Sequence, residues 1–335
     1  MKKNINNIAV IGDGGWGTTL AIHLSSKGNS VNLWGPFPEY IKKINKNRYN
    51  SKFLPGFKIP QKIIITHDLK ESIDSTDLIV FAIPSKYTLK VLKDIKTKKI
   101  DLSNKIFLSV TKGIDTSKLL RISELVKKEL GNIPFAVLSG PTIASEVAKG
   151  IPSTAVVASK SSKTAKNIQE IFSSSNFRVY TNNDITGVEV GGSIKNIIAI
   201  ACGVCDGLGF GTNTKAAILT RGLKEMSEFG KALGAKTSTF SGLSGLGDLV
   251  TTCTSLKSRN RYVGEEIGKG KSVKNILSSM DMIAEGVETV KAVYRLSKKH
   301  NVSMPITTEV YNIIYKNKKP IKAVSDLMTR KMKSE

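Results

Sequence analysis

The feature that most constrains the fold is a glycine-rich loop near the start of the chain. Residues 8–21 read IAVIGDGGWGTTLA, an apolar run followed by the spacing G-x-G-x-x-G at Gly12, Gly14 and Gly17. This spacing between a strand and a helix is typical of a turn that binds a dinucleotide. The glycines permit the tight turn and the close approach of phosphates, and the N-terminus of the following helix carries partial positive charge.

Two details of this region leave the choice of dinucleotide open. Asp13 lies between the first two glycines. Because phosphates would bind the backbone amides, we expect its side chain to point away from them. The second predicted strand continues into NLWGPFPEY, which has no acid before Glu39 to bind the ribose 2′-hydroxyl of NAD. It also has no arginine to bind the 2′-phosphate of NADP, so the sequence predicts NAD or NADP.

Short Ile- and Val-rich runs alternate with helical patterns from residue 5 to about 185. The predicted strands are 8–11, 31–34, 63–66, 78–83, 106–110, 135–138, 154–158 and 178–180, with helices such as 17–27 and 119–130 between them. Buried strands that alternate with helices predict parallel βαβ units, that is, an α/β Rossmann-like domain.

The strand signal disappears after about residue 185. Thr186 and Glu189 have capping-box spacing ahead of an apolar segment that runs to about Cys205. Further predicted helices are 215–233, 259–269, 273–279, 287–299, 307–315 and 321–328. We therefore predict a dinucleotide-binding domain over 1–187 and an all-helical substrate domain over 188–335, packed directly together around a shared cleft.

The composition excludes several classes of protein. The 335 residues are 40% hydrophobic and 23% charged, as in globular proteins large enough for two cores. No apolar stretch suggests a membrane span or a signal peptide. Three cysteines are too few for a disulfide scaffold, and they lack partners at metal-ligand spacing, so we expect buried thiols, no metal and a reducing cytoplasm. The net charge of +24 comes mostly from scattered lysines. It indicates compositional bias or attraction of anionic small molecules rather than nucleic-acid binding.

The candidate proton carrier is a lysine or an acid rather than a histidine. His23, His67 and His300 lie within a helix, in a polar turn and at a helix end beside two lysines, which are structural or surface contexts. Lys195 lies among glycines and apolar residues in GVEVGGSIKNIIAIA. A lysine on such a face either extends to the surface or enters a pocket, where burial would lower its pKa toward the range useful for general acid catalysis.

Further candidate residues lie in three loops. One segment combines an acid with hydroxyl, guanidinium and amide side chains near the predicted start of a helix. These residues are Asp248, Ser258, Arg259 and Asn260. Such donors suit a phosphate, although a helix cap with a solvated arginine would give the same pattern. Lys112 and the segment LSGPT at 138–142 follow predicted strand ends, where α/β proteins bind their ligands.

Taken together, these stretches resemble the family of bacterial-type NAD(P)-dependent glycerol-3-phosphate dehydrogenases. The matching segments follow in family order from residue 12 to about 290. They are GDGGWGTTLA, TKGI, LSGPTIASEVAKG, GVEVGGSIKNIIAIACG, GLSGLGDLVTTCT with SRNR, and AEGVETV. This resemblance is far more specific than the glycine motif alone.

The resemblance implies a set of site residues. Lys195 would be the proton donor and acceptor, Lys112 would contact both cofactor and substrate, and Asp248 would orient Lys195 or a substrate hydroxyl. The further cofactor-binding residues would be Gly12, Gly14, Gly15, Trp16, Gly17, Ala144, Arg259 and Glu285. The further substrate-binding residues would be Gly140, Thr142, Ser258, Arg259 and Asn260, the last two at the phosphate.

The resemblance also implies an activity and a setting. The reaction would be reversible reduction of dihydroxyacetone phosphate to sn-glycerol 3-phosphate for phospholipid synthesis, in a cytoplasmic homodimer. The helical half would resemble the C-terminal domain of 6-phosphogluconate dehydrogenase-like proteins. Family members often have Ala in place of Asp13 and a basic residue or His in place of Pro36, which cannot bind a 2′-phosphate. The alternative is a β-hydroxyacid or 6-phosphogluconate-type dehydrogenase, which does not account for the SRNR segment.

Overall fold

The computed structural model describes residues 5–332 and Ser334, and the first part of the chain is an α/β domain. Its strands are β1 (Asn7–Ile11), β2 (Ser30–Trp34), β3 (Ile64–Thr66), β4 (Leu78–Phe81), β5 (Ile106–Ser109), β6 (Ile114–Asp115), β7 (Leu120–Arg121), β8 (Phe135–Ser139), β9 (Ser153–Ala158) and β10 (Phe177–Asn182). Its helices are α1 (Gly15–Ser26), α2 (Pro38–Asn47), α3 (Leu69–Asp74), α4 (Ser85–Thr97), α5 (Ile122–Leu130), α6 (Ala144–Ala148) and α7 (Ser162–Phe172).

Eight of these strands form one sheet in the order β10-β9-β8-β5-β4-β1-β2-β3. The neighbouring strands from β8 to β3 are parallel, as the alternating pattern predicts. The prediction of parallel units throughout is wrong at one place, because β9 is antiparallel to β8. The segment between these two strands contains only the five-residue α6, which is too short to carry the chain back across the sheet.

The central strands of the sheet are buried on both faces, because β1, β4 and β5 are apolar at nearly every position. Ile8 and Val10 pack on the face covered by α1, α2 and α7, whereas Ala9 and Ile11 pack on the face covered by α3, α4 and α5. Successive strand residues point to opposite faces, so a continuous apolar run serves two helical layers at once. This explains why these central strands show no polar alternation, whereas the edge strand β10 alternates, with Arg178 and Tyr180 exposed between the buried Phe177 and Val179.

The second part of the chain is helical, and among the described residues no strand follows Asn182. Its helices are α8 (Ile185–Gly207), α9 (Thr212–Ala232), α10 (Asp248–Thr254), α11 (Arg259–Gly268), α12 (Val273–Ser278), α13 (Glu285–Lys299), α14 (Pro305–Lys316) and α15 (Pro320–Met328), with a 3-10 turn at Thr237–Ser241 and a π-helical turn at Leu243–Gly247. Five of them, α9, α10, α11, α13 and α14, pack against α8, while α12 packs on α11 and α15 on α14. Helix α8 is long and apolar enough to cross a membrane but is buried inside the protein.

Glycines allow α8 and α11 to touch backbone to backbone. A Cβ atom placed on Gly203 would lie 2.0 Å from the carbonyl oxygen of Arg261, and one placed on Gly264 would lie 2.0 Å from that of Ile200. Any larger side chain at either position would push the two helices apart. This close crossing sets where the N-terminus of α11 lies relative to α8.

Two local predictions need correction. The helix predicted at 119–130 begins at Ile122, because Leu119 has a positive φ of 55° and the next two residues pair in a short hairpin with β6. Thr186 does not cap α8; Asp184 does, and its side chain accepts a hydrogen bond from the Gly187 amide. The other predicted ends differ by a few residues. The domain boundary predicted between 187 and 188 would fall in the first turn of α8 and stays a prediction.

Candidate active site

The site is built where four neighbouring strands end. The order β8-β5-β4-β1 brings the loops after these strands to the carboxyl edge of the sheet. The chain runs from β1 outward through β2 and β3, and then returns to place β4 on the other side of β1. Such a reversal opens a crevice at the carboxyl ends of the strands, where open α/β sheets bind ligands.

The glycine loop occupies this crevice and fits a dinucleotide. Gly12 has a φ of +125°, and a Cβ atom there would lie 2.6 Å from the carbonyl oxygen of Ala82 at the end of β4. Gly14 caps α1, and nothing lies within 4 Å of a Cβ atom placed on it. Within the described residues, no side chain caps α1 and its first turn has no acid. The first amides of the helix are therefore available to a phosphate.

Two further residues predicted to bind cofactor lie beside this loop. Ala144 is close to Gly15, since its Cβ lies 3.9 Å from a Cβ placed there, and its carbonyl accepts a hydrogen bond from Thr19 Oγ1 at 3.1 Å. The Trp16 ring packs edge-on against Phe177 with 6.4 Å between centroids. Its buried indole nitrogen has no partner in the part of the chain that the structure describes. Trp16 therefore packs against the α/β core.

One buried carboxylate binds two lysines that come from different halves of the chain. Lys195 Nζ lies 2.5 Å from Asp248 Oδ1, and Lys112 Nζ lies 2.7 Å from Asp248 Oδ2. The side chains of Lys195 and Asp248 are 8% and 2% exposed, whereas that of Lys112 is 17% exposed. Lys195 therefore does not extend to the surface, because its amine is buried against Asp248.

The charges of this cluster are mutually dependent. Burial lowers the pKa of Lys195 to about 8, against the attraction of Asp248, which raises it. Burial alone would raise the pKa of Asp248, but the charges of Lys112 and Lys195 hold it below its usual value. The carboxylate therefore stays ionised near neutral pH, while Lys195 can gain and lose a proton close to that range.

The loops after β5 and β8 meet at Lys112. Its Nζ donates to the carbonyl oxygen of Gly140 at 2.9 Å and to Thr142 Oγ1 at 3.3 Å. Gly192 of α8 lies against both loops, because a Cβ atom placed on it would be 2.8 Å from Ser139 Oγ and 3.5 Å from Lys112 Cγ. Gly192 thus lets α8 approach both loops, while Gly191 lets it approach the backbone of Ser244.

The segment 258–260 forms the start of α11. Ser258 is its N-cap and accepts a hydrogen bond from the Arg261 amide, so the capping interpretation holds for the serine. Arg259 is exposed and donates to the carbonyl of Ile283 at 2.8 Å. Asn260 is buried and bonded at both ends: its Nδ2 donates to Asn196 Oδ1, and its Oδ1 accepts from the Gly286 amide, each at 2.9 Å.

Two acids join the helical half to the α/β half. Glu285, at the start of α13, accepts hydrogen bonds from the Ser85 amide at 3.0 Å and from Ser85 Oγ at 2.5 Å. Glu189 pairs with Arg121 at 2.6 Å and accepts from the Ser123 amide at 2.7 Å. Glu189 thus contributes a bridge between the halves rather than a capping box. Both halves pack directly, with the lysine cluster between them.

Sequence reasoning missed several residues that complete the site. Thr252 accepts a hydrogen bond from Lys195 Nζ at 2.8 Å. Asn196 donates from Nδ2 to the carbonyl of Lys112 at 3.2 Å. Helical spacing could have found Thr252, since it lies four residues after Asp248 and so shares its face. Ser85 had no such signal, because it is one polar residue at the start of a helix.

The remaining candidates are structural. His23 is hydrogen-bonded to the carbonyl of Phe172 at 2.7 Å, and both His67 and His300 are exposed. Cys202 and Cys205 are buried free thiols, as predicted. Across residues 5–332 and Ser334, no group of three or more His, Cys, Asp or Glu side chains is placed to hold a metal ion.

Comparison with known proteins gives a consistent result. The family models described as the N-terminus and C-terminus of NAD-dependent glycerol-3-phosphate dehydrogenase match residues 7–165 and 184–325. A curated glycerol-3-phosphate dehydrogenase, NAD(P)+, from Thermoanaerobacter sp. is 47% identical over 98% of both chains, and one from Chlorobium phaeobacteroides is 48% identical over 98% of both.

Solved structures agree with the sequence matches. The crystal structure of glycerol-3-phosphate dehydrogenase from Coxiella burnetii has a TM-score of 0.94 and 37% identity, and covers 97% of this chain and 99% of its own. The enzyme from Plasmodium falciparum has a TM-score of 0.88 and 29% identity, with 99% and 97% covered. The two-domain fold and the family resemblance are thereby confirmed. The chain belongs to the NAD-dependent glycerol-3-phosphate dehydrogenase family.

Proposed function

We propose that this protein interconverts dihydroxyacetone phosphate and sn-glycerol 3-phosphate with NAD(H) or NADP(H), and that Lys195 moves the proton. The observation that carries the proposal is the buried cluster of Lys195, Asp248 and Lys112 beside a dinucleotide loop. A ketone reductase needs a cofactor site, a proton donor and positive charge at the ketone oxygen. This cluster and the glycine loop provide all three in one crevice.

The nicotinamide would supply the hydride when bound. The chain's own residues transfer the proton, stabilise the charge that develops on the ketone oxygen and position the substrate. Lys195 donates its proton to the oxygen at C2 of the ketone and takes it back in the reverse direction. Two ammonium groups and one carboxylate leave an excess positive charge in a buried site, which stabilises negative charge that develops on that oxygen. Asp248 keeps Lys195 and Lys112 in place by binding one with each carboxylate oxygen.

The start of α11 binds the phosphate of the substrate in this proposal. Arg259 supplies an exposed guanidinium at a helix N-terminus, a combination that suits a phosphate. Asn260 adds its second amide hydrogen, since one is already donated to Asn196. Binding this remote group positions the ketone against Lys195. Gly140, Thr142 and Ser258 complete the substrate contacts, and Glu285 and Ala144 complete the cofactor contacts.

The direct test is reduction of dihydroxyacetone phosphate by the purified protein, followed separately with NADH and with NADPH. We expect turnover with at least one of them. A panel that includes 3-hydroxyacids and 6-phosphogluconate tests the alternative dehydrogenase. Exclusive activity on those substrates would overturn the proposal. Salt-dependent DNA binding without ketone reduction would instead support a nucleic-acid role for the +24 charge.

We also propose the biological setting that the family resemblance supports. The product, sn-glycerol 3-phosphate, would feed phospholipid synthesis in the cytoplasm, and the protein would act as a homodimer. Light scattering coupled to size-exclusion chromatography tests the dimer, for which twice the chain mass of 36.3 kDa is expected. A single peak at the chain mass would refute it.

A further inference from the structure

Asp13 is a buried acid in the cofactor loop. It is 6% exposed, and its Oδ2 has no hydrogen-bond partner among the described residues. No described lysine or arginine forms an ion pair with it. Its main-chain carbonyl, by contrast, accepts hydrogen bonds from Asn50 Nδ2 at 2.6 Å and Thr18 Oγ1 at 3.2 Å. The residue is therefore held firmly while its carboxylate is left for another partner.

The carboxylate points to the end of β2. The parallel pairing of β1 with β2 continues to Gly12, whose amide donates to the Trp34 carbonyl at 2.9 Å, and so places Gly35 next to the glycine loop. A Cβ atom on Gly35 would lie 2.6 Å from Asp13 Cγ and 2.7 Å from Asp13 Oδ2. The carboxyl group thus occupies the space that a side chain at position 35 would take.

Position 35 directly follows the last residue of β2. In NAD-binding members of this fold, an Asp or Glu at the end of the second strand accepts a hydrogen bond from the 2′-hydroxyl of the adenosine ribose. This chain has Trp34-Gly35-Pro36 there. Because the glycine has no side chain, an acid in the loop after β1 can fill the same volume.

We propose that Asp13 replaces the missing acid at the end of β2, binds the ribose 2′-hydroxyl and makes the enzyme prefer NAD(H) to NADP(H). This inference rests on the proposed cofactor site. Burial raises the pKa of Asp13 to about 6, so the carboxylate is mostly ionised at pH 7.5. An ionised carboxylate accepts a strong hydrogen bond from a hydroxyl but repels a 2′-phosphate.

Equilibrium binding to the protein without substrate tests the inference. Isothermal calorimetry compares NADH, NADPH and 2′-deoxy-NADH on the wild-type protein and on Asp13→Ala. A hydrogen bond to a charged group corresponds to about tenfold or more in affinity. We therefore expect the wild type to bind NADH about tenfold more tightly than either analogue, and Asp13→Ala to bind NADH and 2′-deoxy-NADH equally.

Two results would overturn the inference. One is equal binding of NADH and 2′-deoxy-NADH by the wild type, a measurement that needs no variant to fold. The other is tighter NADH binding by Asp13→Ala, which would mean that the acid opposes the pyrophosphate. Either result leaves the proposed function intact, whereas a failure of the wild type to bind any of the nucleotides would refute the cofactor site itself.

Moving the acid provides a matched control. Gly35→Asp alone puts two carboxyl groups in one volume, so we expect it to weaken NADH binding. Combined with Asp13→Ala, the same substitution places the acid at the usual position, and the preference for NADH over NADPH should return. Thermal unfolding shows which variants are folded. A folded double variant without that preference would contradict the assignment of this volume to the ribose.

Discussion

Lys195 Nζ lies 2.5 Å from Asp248 Oδ1 although the two residues are on different helices and 53 positions apart. The other oxygen of the same carboxylate binds Lys112, which follows strand β5 of the α/β half. Removing any one member leaves a buried charge with fewer partners, which is costly. The cluster therefore couples the assembly of the two halves to the chemistry proposed between them.

Replacing Lys195 removes the proposed proton donor. We expect Lys195→Ala to lower kcat for dihydroxyacetone phosphate reduction about 100- to 10,000-fold, the usual contribution of a positioned general acid. The affinity for NADH, measured by calorimetry, should change little because the glycine loop is untouched. Near-normal turnover would remove Lys195 from the chemistry.

A second buried lysine is the matched control. Lys105 is 8% exposed and donates to the carbonyls of Asp74 and Thr76, at the opposite end of the sheet from the crevice. Lys105→Met should lower the thermal unfolding temperature and leave kcat close to the wild-type value. A similar loss of kcat in both variants would indicate that burial of a lysine, rather than its chemistry, explains the Lys195 result.

The pKa of Lys195, about 8, predicts a pH dependence of opposite sign in the two directions. Reduction needs the protonated amine, so its kcat/KM should be constant below pH 8 and fall as the pH rises through that value. Oxidation of glycerol 3-phosphate needs the neutral amine, so its kcat/KM should rise over the same range. Steady-state rates between pH 6 and 10 measure both limbs.

Asp248→Asn tests whether Lys195 is the titrating group. The negative charge of Asp248 raises the pKa of Lys195. Removing that charge should therefore move the fall of kcat/KM for reduction, the reduction limb of the pH profile, toward lower pH. The residual activity of Lys195→Ala should lack this limb. A limb that persists unchanged in both variants would belong to another group.

Much of the fold could be predicted because its signals are local. The apolar runs of β1 and β4 and the glycine spacing after Ile11 report directly on a buried sheet and a phosphate-binding turn. The reversal of β9 could not be predicted in this way. It depends on how far the chain between 139 and 153 travels across the sheet, and alternation of strands and helices does not encode that distance.

The site was harder to predict from the sequence than the fold, because its contacts join residues that are far apart along the chain. Spacing placed Lys195 on an apolar helix face but did not show whether it reached the surface, since its partner Asp248 lies on another helix. The direction of Asp13 depends on the pairing of β1 with β2 and on the absence of a Cβ atom at Gly35. Neither relation appears in any single stretch of sequence.

The close crossing of α8 and α11 predicts a stability difference between two glycines. Gly203→Ala would place a methyl group 2.0 Å from the Arg261 carbonyl oxygen, and we expect a loss of about 1–3 kcal/mol in the free energy of unfolding. Gly211 caps α9 and has nothing within 4 Å of an added Cβ, so Gly211→Ala should cost about 1 kcal/mol or less. Urea unfolding followed by circular dichroism compares them. Equal losses would contradict a tight crossing.

Arg259 at the start of α11 should act on the substrate's phosphate rather than on its ketone. Loss of charge-assisted hydrogen bonds predicts that Arg259→Ala raises KM for dihydroxyacetone phosphate about 10- to 100-fold, with a smaller change in kcat. Dihydroxyacetone, which has no phosphate, is the control substrate: its low kcat/KM should be the same in the wild type and the variant. If Arg259→Ala impaired both substrates equally, the arginine would act on the cofactor or on the fold, and the phosphate site would have to lie elsewhere in the crevice.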